Sequence, residues 1–166
     1  MIVSCIIPFF NPGRHFAPAI ESVLGQDRPP DEVILVDDGS SDGSAERALA
    51  YGECVRLVRQ NHKGVAAARN LGIRHARGDV IAFNDADDLW PDGRMSALAA
   101  ELEAHADADI VIGRVSLLAD RAPTREERAK FDNAHVLMLL ASMLVRRRLF
   151  DRIGDFNEGL SVAEDT

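Results

Sequence analysis

Short apolar runs of strand length alternate along this sequence with longer segments of helical character. The runs cover residues 2–8, 33–36, 55–58, 80–83 and 110–112. Between the first two runs, Phe16, Ile20, Val23 and Leu24 recur at spacings of three and four, which is typical of one apolar helical face. Such alternation is the pattern of βαβ units. The sequence therefore predicts an α/β fold with a Rossmann-like, mostly parallel central sheet and helices on both faces.

The length of the chain fits one domain. At 166 residues it can bury most of its apolar surface without a disulfide or a structural metal. It contains no internal repeat, low-complexity linker or composition shift that would mark a second domain. We therefore expect a single domain over residues 1–166.

The charge balance limits the class of ligand. A formal net charge of −8 and a pI near 5.1 argue against a broad surface for nucleic acid, so no nucleic-acid partner is expected. A ligand that carries phosphates needs something positive between it and this acidic protein. A divalent metal ion held by carboxylates would meet that need.

Neither a secretory signal nor a membrane span is predicted. Residues 1–8 lack a basic region and a small-residue cleavage site, and they fit the first strand better. The apolar stretch 136–145 is far shorter than the roughly 20 residues that a spanning helix needs. Cys5 and Cys54 lack zinc-type spacing and are predicted to be small core residues, which suits a reducing compartment. We expect a cytoplasmic location, with any membrane association made through other regions.

A pair of carboxylates follows the apolar run 80–83. Asp85 and Asp87 are two residues apart, so they would emerge together at the carboxyl end of a strand, where open α/β sheets bind ligands. Two like charges on one face favour a hard divalent cation with oxygen ligands. The simpler alternative is an acidic turn that caps the following helix, and for Asp88 capping is the simpler interpretation.

A second acidic group, residues 37–43, ends the second predicted strand. Its DGSSDG opening matches a calcium loop, but Leu49 occupies the twelfth position, where a bidentate Glu is required. A phosphoreceiver domain is disfavoured because its acidic pair should follow the first strand, where residues 8–11 read PFFN. Nucleotidyl transfer is disfavoured as well, because residues 11–14 are a poor substitute for a Gly-rich, basic phosphate loop. The two acidic groups would face one crevice at one sheet edge.

Seven segments, taken in order, resemble the motifs of family 2 glycosyltransferases. They are VSCIIPFFN (3–11), ESVLGQ (21–26), EVILVDDGSSDG (32–43), ARNLG (68–72), GD (78–79), DADD (85–88) and GDFNE (154–158). The resemblance covers essentially the whole chain, and so many motifs in order are far more specific than any one of them. It implies the GT-A fold and a nucleotide-sugar donor, UDP-linked in the first instance, held across the strand ends.

The resemblance also assigns the nucleoside pocket. It implies that Pro8, Phe10 and Asn11 line the base and ribose and that Asp38 accepts a hydrogen bond from the base. Two alternatives stay open at this stage. Phe10 could be a core aromatic at a strand end, and Asp38 could form an Asx-turn with the Gly-Ser that follows it.

The acidic motif then corresponds to the D-x-D motif of the family. The resemblance implies that Asp87 is the direct metal ligand, that Asp85 lies nearer the ribose, and that the cofactor is Mn²⁺ or Mg²⁺. Asp88 is either a partner of these ligands or a helix cap. Arg69 either approaches the donor phosphates or pairs with a surface carboxylate.

Glu164 and Asp165 match the E-D motif of the family, in which the aspartate is the usual general base. The resemblance therefore implies that Asp165 deprotonates the acceptor, a carbohydrate or a lipid-linked sugar, in an inverting transfer. The alternative is a frayed acidic terminus. Family members continue past this motif with elements that complete the acceptor side, so the chain is expected to be truncated just after it. An inactive, nucleotide-sugar-binding module stays open as the second hypothesis.

Overall fold

A six-stranded sheet forms the centre of the computed structural model, which describes residues 1–114 and 140–159. The strands are β1 (Val3–Phe9), β2 (Glu32–Asp37), β3 (Arg56–Arg59), β4 (Val80–Phe83), β5 (Ile110–Ile112) and β6 (Met143–Arg146). Their order is β3-β2-β1-β4-β6-β5. The first four are parallel to one another, and β6 lies antiparallel between β4 and β5. The predicted mostly parallel sheet is confirmed.

Within residues 1–114 and 140–159, five helices cover both faces of this sheet. They are α1 (Phe16–Leu24), α2 (Ser44–Leu49), α3 (Val65–His75), α4 (Arg94–Ala104) and α5 (Arg147–Ile153), with single 3₁₀ turns at Gly13–His15, Gly52–Cys54 and Leu140–Ser142. Buried residues of α1, α2 and α4 share one core cluster, whereas α3 and α5 contribute to the other. The molecule is therefore a three-layer α/β sandwich.

The central strand β1 shows why the predicted runs are continuously apolar. All seven of its residues are buried. Cys5, Ile7 and Phe9 belong to the cluster under α1, while Ile6 belongs to the cluster under α3. A parallel strand covered on both faces has no solvent side, so its sequence shows no polar alternation.

The sixth strand was not predicted. It ends the apolar stretch 136–145, but it is only four residues long and runs directly into α5. Its pairing with β4 places Val145 opposite Ile81. The apolar stretch gives no sign of where a strand would begin within it, and only the assembled sheet, in which β6 lies between β4 and β5, reveals the strand.

Two further expectations can be compared with the structure. No helix within the two described ranges is both long and apolar enough to cross a membrane. Cys5 is buried as predicted, but Cys54 is exposed at a 3₁₀ turn, so the prediction of two core cysteines was wrong for Cys54.

Helix α3 packs unusually close to β1, and a glycine makes this possible. A Cβ atom at Gly72 would lie 2.4 Å from Cγ2 of Ile6, well inside van der Waals contact. The glycine lets the helix backbone rest on the strand. Consequently the two residues that precede Leu71 on α3, Arg69 and Asn70, are fixed relative to the sheet and its carboxyl edge.

Candidate functional site

Three parallel strands, β1, β2 and β4, deliver the candidate residues to one edge of the sheet. Phe9 at the end of β1 pairs with Asp37 at the end of β2, and the backbone N–H of Asn84 after β4 donates to the carbonyl of Ile6, at 3.1 Å. The predicted residues that finish or follow these strands are Pro8, Phe10, Asn11, Asp38, Asp85 and Asp87. Arg69 reaches the same edge from α3, and Asp165 lies outside the described residues.

Asp38 is buried and anchors the loop that joins β3 to α3. Its carboxylate accepts hydrogen bonds from the backbone N–H groups of Lys63 and Gly64, both at 2.8 Å, and from Nε2 of Gln60 at 2.7 Å. Nδ1 of His62 lies 3.0 Å from the same carboxylate. Residues 60–64 are thus wrapped around one side chain, and we name them the anchored loop.

The backbone N–H that an Asx-turn of Asp38 would use bonds to Asp37 instead. Asp37 accepts the backbone N–H of Ser40 at 2.8 Å and an ion pair from Nε of Arg59 at 2.9 Å. It is fully buried. The Asx-turn interpretation of Asp38 was therefore wrong, because its carboxylate accepts the N–H groups of Lys63 and Gly64 while the N–H of Ser40 bonds to Asp37.

Asn11 links the loop after β1 to the loop after β2. Its backbone N–H donates to Oγ of Ser40 at 3.0 Å, and its Oδ1 accepts the N–H of Ser41 at 2.9 Å. Its backbone lies in the left-handed region, at φ +47°, which Asn tolerates better than most residues. Pro8, by contrast, is buried inside β1 opposite Val36.

Phe10 is an exposed aromatic at the site. Its side chain is 46% exposed, so the core-aromatic interpretation was wrong. Its ring lies against the imidazole of His62, with centroids 4.1 Å apart and planes inclined by 32°. The loop after β1 and the anchored loop therefore meet through two stacked aromatic rings, whose exposed parts form the Phe10–His62 surface.

The acidic motif after β4 forms a turn rather than a helix cap. The N–H of Asp88 donates to the carbonyl of Asp85 at 3.1 Å, and Nδ2 of the buried Asn84 donates to the carbonyl of Asp88 at 3.0 Å. Helix α4 begins only at Arg94, with Gly93 before it and no side-chain cap. Capping by Asp88 was therefore the wrong interpretation.

The three carboxylates of this turn influence one another. Partial desolvation raises the pKa of Asp88, and the negative charges of Asp85 and Asp87 raise it further. Asp87 is exposed, and the side chain of Asp85 is 40% exposed. The turn thus presents accessible carboxylate oxygens in a field of like charge.

Arg69 supplies a positive charge to this turn. Its Nη2 lies 2.9 Å from Oδ1 of Asp85, and its side chain is only 15% exposed. Its carboxylate partner is thus part of the acidic motif rather than a distant surface group. A guanidinium fixed in this way could contact a phosphate as well as the carboxylate.

Two side chains in and just after helix α1 hold the residues that follow the acidic turn, and the sequence analysis did not predict this role. Oγ of Ser22 accepts the backbone N–H of Trp90 at 3.0 Å. The amide of Gln26 donates to the carbonyl of Pro91 at 3.1 Å and accepts the N–H of Met95 at 3.1 Å. Both side chains belong to the ESVLGQ segment, which was the available signal.

The residues present suit a divalent cation only in part. Among the residues described, no three His, Cys, Asp or Glu side chains converge into a complete metal site. Asp85 and Asp87 nevertheless offer hard oxygen donors, the type that Mg²⁺ and Mn²⁺ prefer. Such a site is typically completed by water and by phosphate oxygens of the substrate.

The comparisons with known proteins fit this geometry. The family model described as glycosyl transferase family 2 matches residues 4–159, nearly the whole chain. The chain belongs to this family. A relative in Streptococcus pneumoniae, "Glycosyltransferase GlyG", is 37% identical over 116 residues, which cover 68% of this chain and 38% of GlyG. The predicted family membership is confirmed.

Solved structures confirm the predicted GT-A fold of this family 2 chain. Residues 1–349 of S. aureus TarS in complex with UDP superpose with a TM-score of 0.81 at 23% identity, covering 98% of this chain and 52% of that one. The mannosyltransferase PcManGT from Pyrobaculum calidifontis, in complex with GDP-Man and Mn²⁺, has a TM-score of 0.73 at 27% identity, covering 95% and 48%. The chain thus spans about half of these structures and less of GlyG.

Proposed function

We propose that this chain transfers a sugar from a nucleoside diphosphate sugar, UDP-linked in the first instance, to an acceptor hydroxyl, with inversion at the anomeric carbon and with a divalent cation. The observation that carries the proposal is the convergence at one sheet edge of the anchored loop, the Phe10–His62 surface and the Arg69–Asp85 pair with Asp87 beside it. Family membership supports the class of reaction.

The nucleoside end of the donor is assigned to the loops after β1 and β2. Phe10 offers an aromatic face on which a base can stack, and stacking tolerates any base. Asp38 would accept a hydrogen bond from the base, and the same carboxylate holds the anchored loop. The structure of this loop and the binding of the base are therefore expected to depend on each other.

The diphosphate end is assigned to the acidic turn. Asp87 would hold the cation directly and Asp85, which is paired with Arg69, would lie nearer the ribose. A bound cation would act as a Lewis acid toward the leaving diphosphate. The guanidinium of Arg69 would share this role through charge-assisted hydrogen bonds to phosphate oxygens. In a chain of net charge −8, these positive groups offset the repulsion of a diphosphate.

The transfer itself exchanges one bond at the anomeric carbon for another. The acceptor oxygen forms the new bond to that carbon, the bond to the diphosphate oxygen breaks, and its electron pair leaves with the diphosphate. Asp165 is proposed as the carboxylate that takes the acceptor proton, from the face opposite the leaving group. Attack from that face inverts the configuration.

The acceptor and the location complete the proposal. The acceptor hydroxyl is expected on a carbohydrate or a lipid-linked sugar. Cys5 and Cys54 are both unpaired, which supports a reducing, cytoplasmic location.

The test measures nucleotide binding and turnover together. UDP is titrated calorimetrically with and without Mn²⁺, GDP is titrated in parallel, and release of UDP from UDP-sugars is then followed. We expect Mn²⁺ to tighten UDP binding and Asp87→Asn to remove most of that gain, about tenfold or more, because a lost charged ligand costs well over 1.4 kcal/mol.

Asp92→Asn is the matched control, since Asp92 is an exposed carboxylate five residues further along that lies outside the acidic turn. It should leave the Mn²⁺ effect unchanged. Binding of UDP that ignores Mn²⁺ would contradict metal dependence, and tighter binding of GDP would contradict the choice of base. Metal-dependent binding with no turnover of any donor would favour the binding-module hypothesis.

A further inference from the structure

Two sequence motifs that the proposed chemistry leaves unused meet inside the structure. Asn70, from the ARNLG segment on α3, is 2% exposed. Its Oδ1 accepts the backbone N–H of Phe156 at 2.9 Å, and its Nδ2 donates to the carbonyl of Phe156 at 2.9 Å and to Oε1 of Glu158 at 2.8 Å. The amide thus clamps both backbone groups of one residue 86 positions away in the sequence.

The chemistry of this clamp needs an amide of this length. A backbone N–H requires an acceptor and a backbone carbonyl requires a donor, and a side-chain amide offers both in one plane. Aspartate at position 70 would lose both donors and would place a carboxylate against Glu158. Alanine would leave the N–H and the carbonyl of the half-buried Phe156 without these partners, which is costly, and would also release the exposed carboxylate of Glu158.

The clamped segment lies directly beside the acidic turn. The ring of Phe156 packs edge-on against Phe83, with centroids 5.7 Å apart, and also lies 5.9 Å from Phe150. Phe83 ends β4, and Asn84 and Asp85 follow it at once. The segment 154–158 is therefore held both by α3 and by the strand that carries the acidic motif.

Two neighbouring residues of α3 contact the acidic turn and the segment 154–158, respectively. Arg69 pairs with Asp85, and Asn70 holds Phe156 and Glu158. Successive residues of a helix point about 100° apart, so one turn of helix can contact both. One rigid element thereby ties the location of the acidic turn to that of the segment 154–158.

We propose that Asn70 is a positioning residue for the acceptor side of the transfer reaction. It fixes the segment 154–158 beside Asp85 and so sets the point from which the chain continues to Glu164 and Asp165. Asp165 follows Glu158 by seven positions in the sequence, a span that reaches at most about 25 Å when extended. The inference rests on the proposed function, because it assigns Asn70 to the step after donor binding.

The test separates donor binding from turnover. For Asn70→Ala we expect faster hydrogen exchange at the amide of Phe156, an unchanged Kd for UDP with Mn²⁺, and a kcat lower by about tenfold to a hundredfold, the scale of loss that a misplacement near 1 Å causes. Asn157→Ala is the matched control, since this exposed Asn of the same segment binds only the N–H of Gly159 among the hydrogen bonds seen. It should leave the Phe156 amide protected.

Exchanging the amide and the carboxylate between positions 70 and 158 gives a stricter test. Asn70→Asp should lose turnover like Asn70→Ala, and the double variant N70D/E158Q should recover part of kcat, because the new amide can donate to the new carboxylate. Glu158→Ala, which removes one of the three hydrogen bonds, should show a smaller loss of kcat and serves if Asn70→Ala does not fold.

The outcomes distinguish this inference from the function on which it rests. Equal kcat in the wild type and Asn70→Ala, or a parallel loss of UDP affinity and kcat without recovery in the double variant, would overturn the positioning role. Absence of any turnover in the wild type would overturn the proposed function, and this inference with it.

Discussion

Asp109 shows how a single carboxylate joins distant parts of the chain. It lies just before β5 and accepts hydrogen bonds from Arg148 at 2.5 Å and from Arg152 at 2.9 Å, both on α5. Its backbone carbonyl accepts the N–H of Arg146 at the end of β6. The hydrogen bond from Arg148, together with the positive charges of the nearby arginines, lowers the pKa of Asp109.

The sign of the pH dependence follows from this lowered pKa. A carboxyl group whose pKa is lower in the folded than in the unfolded state stabilises the fold above its ordinary pKa, and this contribution is lost as the pH falls through the lowered value. We expect Asp109→Asn to lower Tm at pH 7, with the difference from the wild type shrinking in acid. Thermal unfolding from pH 7 to pH 3 measures this.

Asp107→Asn is the control, since it removes an exposed charge from the same loop. Its Tm should follow the wild type across the range. A Tm difference for Asp109→Asn that is the same at every pH would show that packing, rather than ionisation, is responsible.

At the scale of elements, the anchored loop is organised by one side chain from another strand. Asp38 lies after β2, whereas Gln60, Lys63 and Gly64 lie between β3 and α3. A carboxylate that accepts two backbone N–H groups replaces the hydrogen bonds that the loop cannot make to itself. The start of α3, and with it the position of Arg69, therefore depends on Asp38.

We expect Asp38→Ala to speed hydrogen exchange at the amides of Lys63 and Gly64 and to weaken UDP binding by about tenfold or more, because buried donors lose their acceptor. Gln60→Ala, which removes one of the contacts and keeps the carboxylate, should show a smaller change in both quantities. Exchange measured by mass spectrometry and titration calorimetry test this. Weaker UDP binding with unchanged exchange would mean that Asp38 reads the base without holding the loop.

At the scale of the whole molecule, α3 is the element on which the parts of the site meet. It rests on β1 through Gly72, receives the anchored loop at its first turn, and presents Arg69 and Asn70 to the acidic turn and to the segment 154–158. A change in the distance between α3 and β1 is therefore expected to disturb all of these contacts together.

We expect Gly72→Ala to destabilise the fold by about 1–3 kcal/mol, because the new methyl group would overlap Cγ2 of Ile6, which is fully buried and cannot move aside. Ile6→Ala alone should also destabilise, by opening a cavity. The double variant G72A/I6A should lose less unfolding free energy than the two single variants together. The methyl group at position 72 would occupy part of the cavity at position 6, and the smaller side chain at position 6 would remove the overlap. Urea unfolding of the four proteins measures the coupling.

Additive losses in this cycle would show that α3 shifts away from β1 rather than clashing with Ile6. Gly52→Ala supplies a comparison, since a Cβ atom there meets no other atom within 4 Å. The loss of unfolding free energy in Gly52→Ala should reflect only the strain that a side chain meets at this positive φ.

Features that depend on neighbouring residues in the sequence were predicted correctly. The apolar runs predicted five strands, and four acidic or aromatic positions, Phe10, Asp38, Asp85 and Asp87, were correctly placed at strand ends on one edge. Features that depend on contacts between distant residues were missed. The pairing of β6 with β4 and β5 left no sign in its apolar stretch, and the N–H of Ser40 bonds to Asp37 rather than to Asp38.

The layered α/β fold, the family and the sheet edge that carries the candidate residues could be inferred from the sequence, because they follow from the order of the apolar runs and from the residues adjacent to them. Only the tertiary structure decided which partner each polar side chain takes. Asp38 holds a loop 22 to 26 residues away, and Asn70 holds a segment 86 residues away. A hydrogen bond of that span leaves no periodic trace in a sequence, since it depends on the path of the backbone between its two ends.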